Sequence, residues 1–410
     1  MKRIVVINNN DRALAFGIGS YTANLIECLQ RTEFAFDIVY LNAKDYELKI
    51  IEKDRYRDIF FPAFAGSIDK KLSSYCRMLP FLLKELFTSG DELIFHFNYF
   101  LTDDLITKLK KTFSCKIILT VHFTDWSFLL TGNFRKLKLL LDKVQKKQAI
   151  SQYEKGVIDT IQSDKTIFQQ TDLILFIAQH TVKTYSQLSL LQYTNYSIVS
   201  NGVKDEYKKI STTQKQAIRK RYHIKEQETI LFFAGRLDVI KGIYCLIDAF
   251  KKVLCSKPDA HLYIAGEGDF PALLSKSRFA CTHITFLGFL QKSELYDFYH
   301  IVDIGIACSI YEEFGLVALE MMMHQLPVIV TNTGGLAEII DDNMNGLKVP
   351  VVYQRGKLTL DINQLVKKIV FLIDNPDECR RLGENARKKF LSNYELSVFS
   401  SRMIQIYNSL

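Results

Sequence analysis

Short apolar runs alternate with longer stretches of helical periodicity along the whole chain, and this alternation predicts the fold class. Most of the short runs in the first half are continuously apolar, as expected for strands buried on both faces of a parallel sheet. The stretches 21–30 and about 134–169 repeat apolar residues at helical spacing. The predicted strands of the first half are 3–8, 36–41, 93–98, 116–121, 173–177 and 197–200.

The second half repeats this scheme, so we predict an α/β protein of two doubly wound domains that face each other across a cleft. A chain of 410 residues is long enough for two full cores. Turn residues meet a polar segment after Asn201-Gly202-Val203, which places the domains at 1–203 and 204–394. The predicted strands are 230–234, 261–265, 284–287, 304–307 and 328–331, with helices near 242–254, 293–300, 316–324 and 365–374.

The composition is that of a globular protein, with 48% hydrophobic and 24% charged residues. No apolar run reaches the length of a membrane span, and the first apolar run meets Asn8 too soon for a signal peptide. The 8 Cys show no paired spacing and fall partly inside apolar patterns, which is typical of reduced thiols. We therefore expect a cytoplasmic protein.

The net charge of +8 favours an anionic partner, namely a nucleotide, a nucleic acid or a phospholipid surface, without choosing among them. Basic residues are dense between Arg135 and Lys147, where they alternate with Leu and Val. A basic amphipathic helix of this kind can rest on anionic lipid, or it can present a solvated face. Both interpretations stay open at the level of sequence.

Two features of the first half follow predicted strands. Gly17-Ile18-Gly19 lies where a strand turns into a helix, and glycines there let a phosphate or sugar approach the backbone. Thr22 stands where the dinucleotide fingerprint requires Gly or Ala, so that fingerprint is not met. His122 ends the strand 116–121, where it could bind a hydroxyl, relay a proton or merely cap a loop, and His96 is interpreted as a loop cap.

In the second half, two cations flank one turn between a strand and a helix. Arg236 follows the strand 230–234, and Lys241 comes just before the next helix. Such a pair can converge on one diphosphate, with Arg binding as a fork and Lys as a point charge. The alternative is a surface ion pair between Arg236 and Asp238.

The most informative stretch runs from Glu312 to Glu320, with a Phe-Gly turn between the two carboxylates. Counted along a helix, eight positions make a little over two turns, so both carboxylates are expected on roughly the same side. Backbone amides at the start of the helix are then free to face an anion. This arrangement could hold a diphosphate at one end and sugar hydroxyls at the other, although two solvated Glu residues would have the same spacing.

In order and spacing these motifs resemble the family-four retaining glycosyltransferases, which have the GT-B fold of two Rossmann-like domains. The resemblance covers nearly the whole chain, and its distinctive part is the combination of Gly-Arg…Lys-Gly with Glu-x-Phe-Gly…Glu. It implies that the N-terminal domain binds the acceptor and that a last helix at about 395–410 packs back on that domain. The residues that carry the resemblance are Gly235, Arg236, Lys241, Gly242, Glu312, Phe314, Gly315, Glu320, Gly334, Gly335 and Gly346.

The resemblance also implies a role for each matching residue. Arg236 and Lys241 would hold the diphosphate and stabilise the leaving group. Glu312 and His122 would lie at the donor sugar, although Phe123 stands where the family often has an acidic residue. The remaining predicted contacts are the amides of Phe314, Gly315 and Leu316 with sugar and phosphate, Glu320 with the ribose, the backbone near Leu290 with the base, and Gly17 and Gly19 with the phosphate.

From this resemblance we expect a retaining hexosyltransferase that needs neither metal nor cofactor and uses a UDP- or GDP-linked donor. The acceptor would be a glycan, a lipid-linked glycan of cell-surface polysaccharide assembly or a protein, and no nucleic acid would bind. The enzyme would be cytoplasmic, with peripheral contact at the inner face of an anionic membrane. The alternatives are a nucleotide-sugar epimerase or hydrolase on the same fold, and a non-catalytic partner of another glycosyltransferase.

Overall fold

The apolar runs of this chain form two separate sheets in a computed structural model, one in each of two compact units. Unit 1 comprises Met1–Leu130, Phe134–Gly202 and Phe399–Leu410. Unit 2 comprises Thr131–Asn133 and Val203–Val398. The structure describes residues 2–9, 17–44, 47–87, 90–98, 101–354 and 356–410.

Unit 1 is an α/β unit around an eight-stranded sheet. Its strands are β1 (Lys2–Asn9), β2 (Ala35–Ala43), β3 (Lys49–Glu52), β4 (Tyr56–Pro62), β5 (Glu92–Phe97), β6 (Cys115–Val121), β7 (Leu173–Phe176) and β8 (Tyr196–Ile198). Its helices are α1 (Gly17–Gln30), α2 (Ile68–Leu86), α3 (Asp103–Thr112), α4 (Asp125–Leu129), α5 (Phe134–Gln145), α6 (Gln152–Gln170), α7 (Gln179–Gln187) and, from Phe399 onwards, α16 (Leu396–Ser409).

The strands of unit 1 run in the order β3-β4-β2-β1-β5-β6-β7-β8, and all neighbours are parallel except β3 and β4. The central strands β1 and β5 are apolar on both faces, which explains their continuous apolar runs. The order reverses between β1 and β5. In open α/β sheets, ligands bind beyond the carboxyl ends of the strands at such a reversal.

The last helix, α16, belongs to unit 1 from Phe399 onwards, and contacts of Phe399 and Tyr407 attach it there. The Tyr407 carbonyl accepts a hydrogen bond from Lys2 Nζ, and its hydroxyl lies 2.6 Å from His96 Nδ1. Phe399 packs edge-on against Tyr21 of α1. These contacts join residues more than 300 positions apart, so this helix is part of the core of unit 1.

Unit 2 is a second α/β unit, whose main sheet has six strands. Its strands are β9 (Thr229–Ala234), β10 (Ala260–Ala265), β11 (Ile284–Gly288), β12 (Ile304–Ala307), β13 (Val328–Thr331) and β14 (Leu347–Val349), with a separate hairpin of β15 (Val351–Gln354) and β16 (Lys357–Leu360). Its helices are α8 (Thr212–Arg221), α9 (Ile243–Leu254), α10 (Phe270–Ser277), α11 (Lys292–Tyr299), α12 (Leu316–Met323), α13 (Gly334–Ile339), α14 (Ile362–Asp374) and α15 (Pro376–Asn393).

The six strands follow the order β11-β10-β9-β12-β13-β14, and their neighbours are parallel. The order reverses between β9 and β12. The carboxyl end of β9 leads into Arg236 and Lys241, and that of β12 leads into Glu312. The topology thus brings the two distinctive sequence motifs to the ligand-binding position of an open sheet.

Two parts of the predicted layout differ from the structure. The long helix predicted at about 134–169 is two helices, α5 and α6, because the chain adopts a positive φ of 53° at Lys147. Ser151 then starts α6 as one half of a capping box with Glu154. The strands β3, β4, β14, β15 and β16 and helices such as α15 were not predicted. Four of these strands have only three or four residues, and short or amphipathic elements leave weak periodic signals.

Across the described residues, no helix is both long and apolar enough to cross a membrane. All eight cysteines are free thiols, as their irregular spacing predicts.

Candidate active site

Two polar side chains of the loop between β12 and α12, Ser309 and Glu312, form a cluster with Lys241 from the turn between β9 and α9. Lys241 Nζ donates to Glu312 Oε2 at 2.5 Å, and Ser309 Oγ donates to the same oxygen at 2.9 Å. The side chains of Lys241 and Glu312 are 23% and 20% exposed, so the pair is partly accessible to a ligand. A carboxylate thus fixes the ammonium group beside the reversal of the sheet.

A close backbone contact brings Lys241 to this loop. Gly242 has a φ of 74°, and a Cβ added there would lie 2.0 Å from the carbonyl oxygen of Cys308. The amide of Lys241 donates to Asp238 Oδ1 at 2.9 Å, which closes the turn. Glycine is therefore required at 242 for the turn after β9 to meet the end of β12.

Arg236 and Lys241 bind different carboxylates in this structure. Arg236 Nη2 lies 3.2 Å from Asp238 Oδ2, and its side chain is 48% exposed. This is the ion pair that the sequence offers as the alternative to a diphosphate clamp. A surface pair of this kind contributes little stability, so a diphosphate could compete for the guanidinium. Convergence of the two cations on one ligand stays a prediction.

Helix α12 starts at Leu316, after Gly315 with a φ of 108°. The start at Leu316 agrees with the predicted helix near 316–324, so the helical count of eight positions does not apply to the whole stretch from Glu312 to Glu320. Glu312 precedes the helix, and Glu320 lies little more than one turn inside it. The first turn of α12, which includes Leu316, still offers backbone amides that lack partners within the helix.

Gly334 and Gly335, at the start of α13, pack against the backbone of this loop. The amide of Gly335 donates to the carbonyl of Glu312 at 2.9 Å. A Cβ on Gly334 would lie 1.9 Å from that carbonyl oxygen, and one on Gly335 would lie 2.4 Å from Cα of Phe314. Only glycines allow α13 to start against the backbone of the Glu-x-Phe-Gly motif.

Glu320 faces α11. Tyr299, the last residue of that helix, donates its hydroxyl to Glu320 Oε2 at 3.3 Å. Enclosure by protein atoms raises the pKa of Glu320 to about 7, while the Tyr299 hydrogen bond and Lys292 oppose this rise. The side chain nevertheless keeps partial solvent exposure. Leu290 lies in the short connection between β11 and α11, at the same carboxyl edge of the sheet.

Gly17 and Gly19 form the first turn of α1. The helix therefore starts four residues before the predicted position 21, and the glycines are part of the helix rather than of a preceding turn. Their amides still lie at a helix N-terminus beside the reversal in unit 1, where anions are favoured.

His122 follows β6 directly and is buried. Burial lowers the pKa of His122 to about 3, so the imidazole is neutral at physiological pH. Nε2 lies 3.4 Å from Oδ1 of Asn98, which itself donates to Asn8 Oδ1 at 2.8 Å. Because an amide oxygen only accepts, Nε2 carries the proton in this contact, and Nδ1 is the acceptor.

The interpretation of His96 as a loop cap is wrong. His96 is fully buried inside β5, where Nδ1 contacts the Tyr407 hydroxyl and Nε2 contacts Thr120 Oγ1 at 2.7 Å. Tyr299, Ser309 and Asn98 also escaped prediction. Ser309 and Asn98 follow strand ends, which is a usable signal, but nothing in the local sequence marks Tyr299 as a partner of Glu320.

No group of three or more His, Cys, Asp or Glu side chains in the described part of the chain could hold a metal ion. The cations of this site are Arg236 and Lys241. That the reaction needs no metal ion stays a prediction from the sequence.

Residues 214–389 match the family model of glycosyl transferases group 1. The matched segment lies within unit 2 and contains both distinctive motifs, from Arg236 and Lys241 to Glu312 and Glu320. An uncharacterized glycosyltransferase of Methanocaldococcus jannaschii is 38% identical over 143 residues, which are 34% of this chain. The match spans 36% of that relative's own length, so it is confined to part of both proteins.

Solved structures of similar fold cover the whole chain. Sucrose-phosphate synthase from Thermosynechococcus elongatus superimposes with a TM-score of 0.79 at 19% identity, over 100% of this chain and 99% of the other. Anabaena HepE in complex with UDP and glucose gives 0.72 at 14% identity, over 100% of both chains. At such identities the likeness concerns the fold, and it confirms the predicted GT-B fold.

Proposed function

We propose that this chain is a retaining glycosyltransferase that moves a hexose from a nucleotide diphosphate sugar to an acceptor, without a metal ion. The observation that carries the proposal is the cluster of Lys241, Glu312 and Ser309 beside the N-terminus of α12. It combines a fixed cation, a carboxylate and helix amides at the reversal of the unit 2 sheet. The UDP and glucose bound to Anabaena HepE belong to a protein of the same fold and support a nucleotide-sugar donor.

Each group in the cluster has a role in the proposed reaction. Breaking the bond between the anomeric carbon and the diphosphate builds negative charge on the departing oxygens. Lys241 and the first amides of α12 would stabilise that charge, with Arg236 as a second cation. Because these groups are already oriented, little reorganisation would be needed in the transition state.

In this proposal, Glu312 would act on the donor sugar. Oε2 already accepts hydrogen bonds from Lys241 and Ser309, and two donors make a carboxylate oxygen a weaker nucleophile. We therefore favour a role for Glu312 in stabilising positive charge on the sugar and in orienting Lys241. The diphosphate leaving group would then help to deprotonate the acceptor on the same face.

Glu320 would bind the nucleoside by accepting hydrogen bonds from the ribose hydroxyls, with the backbone near Leu290 at the base. In unit 1, neutral His122 could accept a hydroxyl of the sugar at Nδ1, and the first turn of α1, with Gly17 and Gly19, would face the phosphate. A UDP- or GDP-linked donor fits these contacts equally well, because none of them reads the base through a side chain.

The acceptor side of the proposal rests on the basic face of α5. Lys138 and the apolar side chain of Leu139 are exposed on α5, and Lys146 and Lys147 are exposed directly after its end. This combination suits peripheral attachment to an anionic membrane on its cytoplasmic side and hence a lipid-linked glycan acceptor of polysaccharide assembly. Leu137 and Leu140 of the same helix are buried, so the opposite face belongs to the core.

A transfer assay tests the proposal. The purified full chain would be incubated with radiolabelled UDP-glucose, GDP-mannose or ADP-glucose and a panel of glycan, lipid-linked and protein acceptors. Acceptor-dependent formation of a labelled glycoside with the anomeric configuration of the donor is the expected result. Release of free sugar or epimerised donor alone would indicate a hydrolase or an epimerase, and absence of any turnover would favour a non-catalytic partner.

A further inference from the structure

Tyr299 contacts Glu320, the carboxylate proposed to bind the ribose. No sequence motif predicts this contact. The Tyr299 hydroxyl lies 3.3 Å from Oε2 of Glu320. Among the residues that the structure describes, Tyr299 provides the one side chain that donates to this carboxylate. A donor aimed at a functional carboxylate can set both its orientation and its protonation state.

The position of the Tyr299 hydroxyl is fixed by packing. The side chain is 1% exposed, and its ring meets Phe232 of β9 edge-on at 5.7 Å. On the other side it packs 5.0 Å from the ring of His324, whose Nδ1 contacts the carbonyl of Glu320 at 2.8 Å. A ring held in this way has little rotamer freedom, so its hydroxyl stays directed at Glu320.

We propose that Tyr299 is a positioning residue of the donor site, whose hydroxyl holds the Glu320 carboxylate ionised and oriented to accept hydrogen bonds from the ribose hydroxyls. The inference rests on the proposed function, since it takes Glu320 as the group that binds the ribose. A carboxylate has about four acceptor positions, so one bond from Tyr299 leaves capacity for two ribose hydroxyls. The phenol carries no charge and therefore orients Glu320 without neutralising it.

The surroundings of Glu320 disfavour its ionised form, so the hydrogen bond from Tyr299 is needed to stabilise the carboxylate. Enclosure, together with the negative charge of Glu206 from the segment before α8, raises the pKa of Glu320 to about 7. Lys292 from α11 and the Tyr299 hydrogen bond act in the opposite direction. Without Tyr299 the carboxyl group would hold its proton to a higher pH and would accept hydroxyls less well.

The other titratable groups near Glu320 are accounted for by their own environments. Burial lowers the pKa of His324, on the same helix, to about 4, so this imidazole is neutral near pH 7. Arg387 of α15 is bound to Asp205 at 2.7 Å and to the carbonyl of Met323. Tyr296 of α11 is uncharged near pH 7, because burial raises the pKa of its hydroxyl.

Tyr299→Phe tests the inference, with Tyr296→Phe as its matched control. Both changes remove one hydroxyl from the same helix. The Tyr296 hydroxyl lies beside Glu206 and makes no hydrogen bond with Glu320, whereas that of Tyr299 bonds Glu320. A loss of general stability would therefore affect both variants, but only Tyr299→Phe should change the protonation of Glu320.

Calorimetric titration of the full chain between pH 5.5 and 9 provides the measurement. The tightest binder among UDP-glucose, GDP-mannose and ADP-glucose is the probe, because these diphosphate diesters do not titrate in this range. Since Glu320 must be ionised, affinity should rise with pH through about 7 in the wild type and in Tyr296→Phe. In Tyr299→Phe the midpoint should lie roughly one pH unit higher, with a Kd about tenfold weaker at pH 6.

A ribose-specific comparison completes the test. The nucleoside diphosphate of the chosen donor and its 2′,3′-dideoxy form would be titrated at pH 7. The preference for the hydroxylated form should be several-fold smaller in Tyr299→Phe than in the wild type and in Tyr296→Phe.

Two results would separate failure of the proposed role of Tyr299 from failure of the proposed function. Identical pH profiles and identical ribose preferences in all three proteins would overturn the role of Tyr299 while leaving the glycosyltransferase proposal in place. Absence of binding of all three nucleotide sugars by the wild type would overturn the proposed function and this inference with it.

Discussion

In the proposed reaction, the charge of Lys241 would contribute more to catalysis than to the stability of the fold. The ammonium group is held by Glu312 in a partly exposed pair, and such pairs stabilise the folded state by only about 1 kcal/mol or less. A cation aimed at developing leaving-group charge is worth far more in a transition state, because it acts where water is excluded.

Lys241→Ala should therefore lower kcat by about 100- to 1000-fold, equivalent to roughly 2.7–4 kcal/mol, while the melting temperature changes little. Lys276→Ala is a matched control, because Lys276 also pairs with a carboxylate, Asp248, at 2.6 Å and has a similar side-chain exposure of 26%. Steady-state kinetics and thermal unfolding of both variants provide the measurement. Equal kcat in the Lys241 variant and the control would remove Lys241 from the leaving-group site.

The two glutamates should differ in the step that they affect. Glu320→Gln should raise the donor KM, because contacts with ribose hydroxyls are equally strong in the ground and transition states. Glu312→Gln should lower kcat, because this residue holds Lys241 beside the bond that breaks. Both amides keep a hydrogen-bonding oxygen, so the fold should survive.

Steady-state kinetics with varied donor concentration separate these effects. If the Glu312 variant showed only a raised KM and the Glu320 variant only a lowered kcat, the sugar and nucleotide ends of the site would have to be exchanged.

Helix α5 combines core and surface functions at the level of a single element. Lys143, near its end, donates to Glu154 Oε1 at 2.8 Å, and Glu154 Oε2 accepts from the amide of Ser151 at the start of α6. These bonds hold the pKa of Glu154 at about 2, well below its usual range. Lys143 is therefore part of a helix start, and it does not belong in a test of membrane binding.

Changing Lys138, Lys146 and Lys147 together to Glu should abolish sedimentation of the protein with vesicles that contain anionic lipid. The wild type should bind such vesicles, and its binding should weaken with salt, because the attraction is electrostatic. Changing the exposed residues Lys208, Lys209 and Lys220 of unit 2 to Glu makes the same change in net charge and controls for it. Equal sedimentation of the wild type and both variants would assign α5 a solvated face.

Across the whole molecule, contacts between distant segments complete unit 1. Tyr407→Phe should destabilise that unit by about 1–3 kcal/mol, because it leaves a buried nitrogen of His96 without a partner. Tyr193→Phe is the control, since Tyr193 is 89% exposed in the same unit. Thermal unfolding followed by circular dichroism should show a lower melting temperature for the first variant only, and equal values would contradict a structural role for this hydrogen bond.

Sugar transfer by the full chain should continue in the presence of a chelator. In the proposed reaction, Lys241 and Arg236 would provide the positive charge that a metal ion supplies in other transferases, so EDTA should leave turnover within about twofold of its original value. Turnover lost in EDTA and restored by magnesium or manganese would contradict this mechanism.

The sequence by itself determined the α/β class, the type of most elements and the resemblance to glycosyltransferases. Continuous apolar runs mark buried parallel strands, and the spacing of the Gly-Arg…Lys-Gly and Glu-x-Phe-Gly…Glu motifs follows from the local turns that connect strands to helices. These features are local, so they can be read from neighbouring residues. The start of α1, the break after α5 and several short strands were misplaced or missed, because the residues next to them give only weak signals.

The tertiary structure decided which side chains meet. Lys241 bonds Glu312 across 71 positions, and His96 bonds Tyr407 across 311, because strand order and the path of the last helix bring them together. Glu320 lies against Tyr299 for the same reason, 21 positions away on a different helix. No periodic pattern encodes such partners, since packing of whole elements fixes the distances between them.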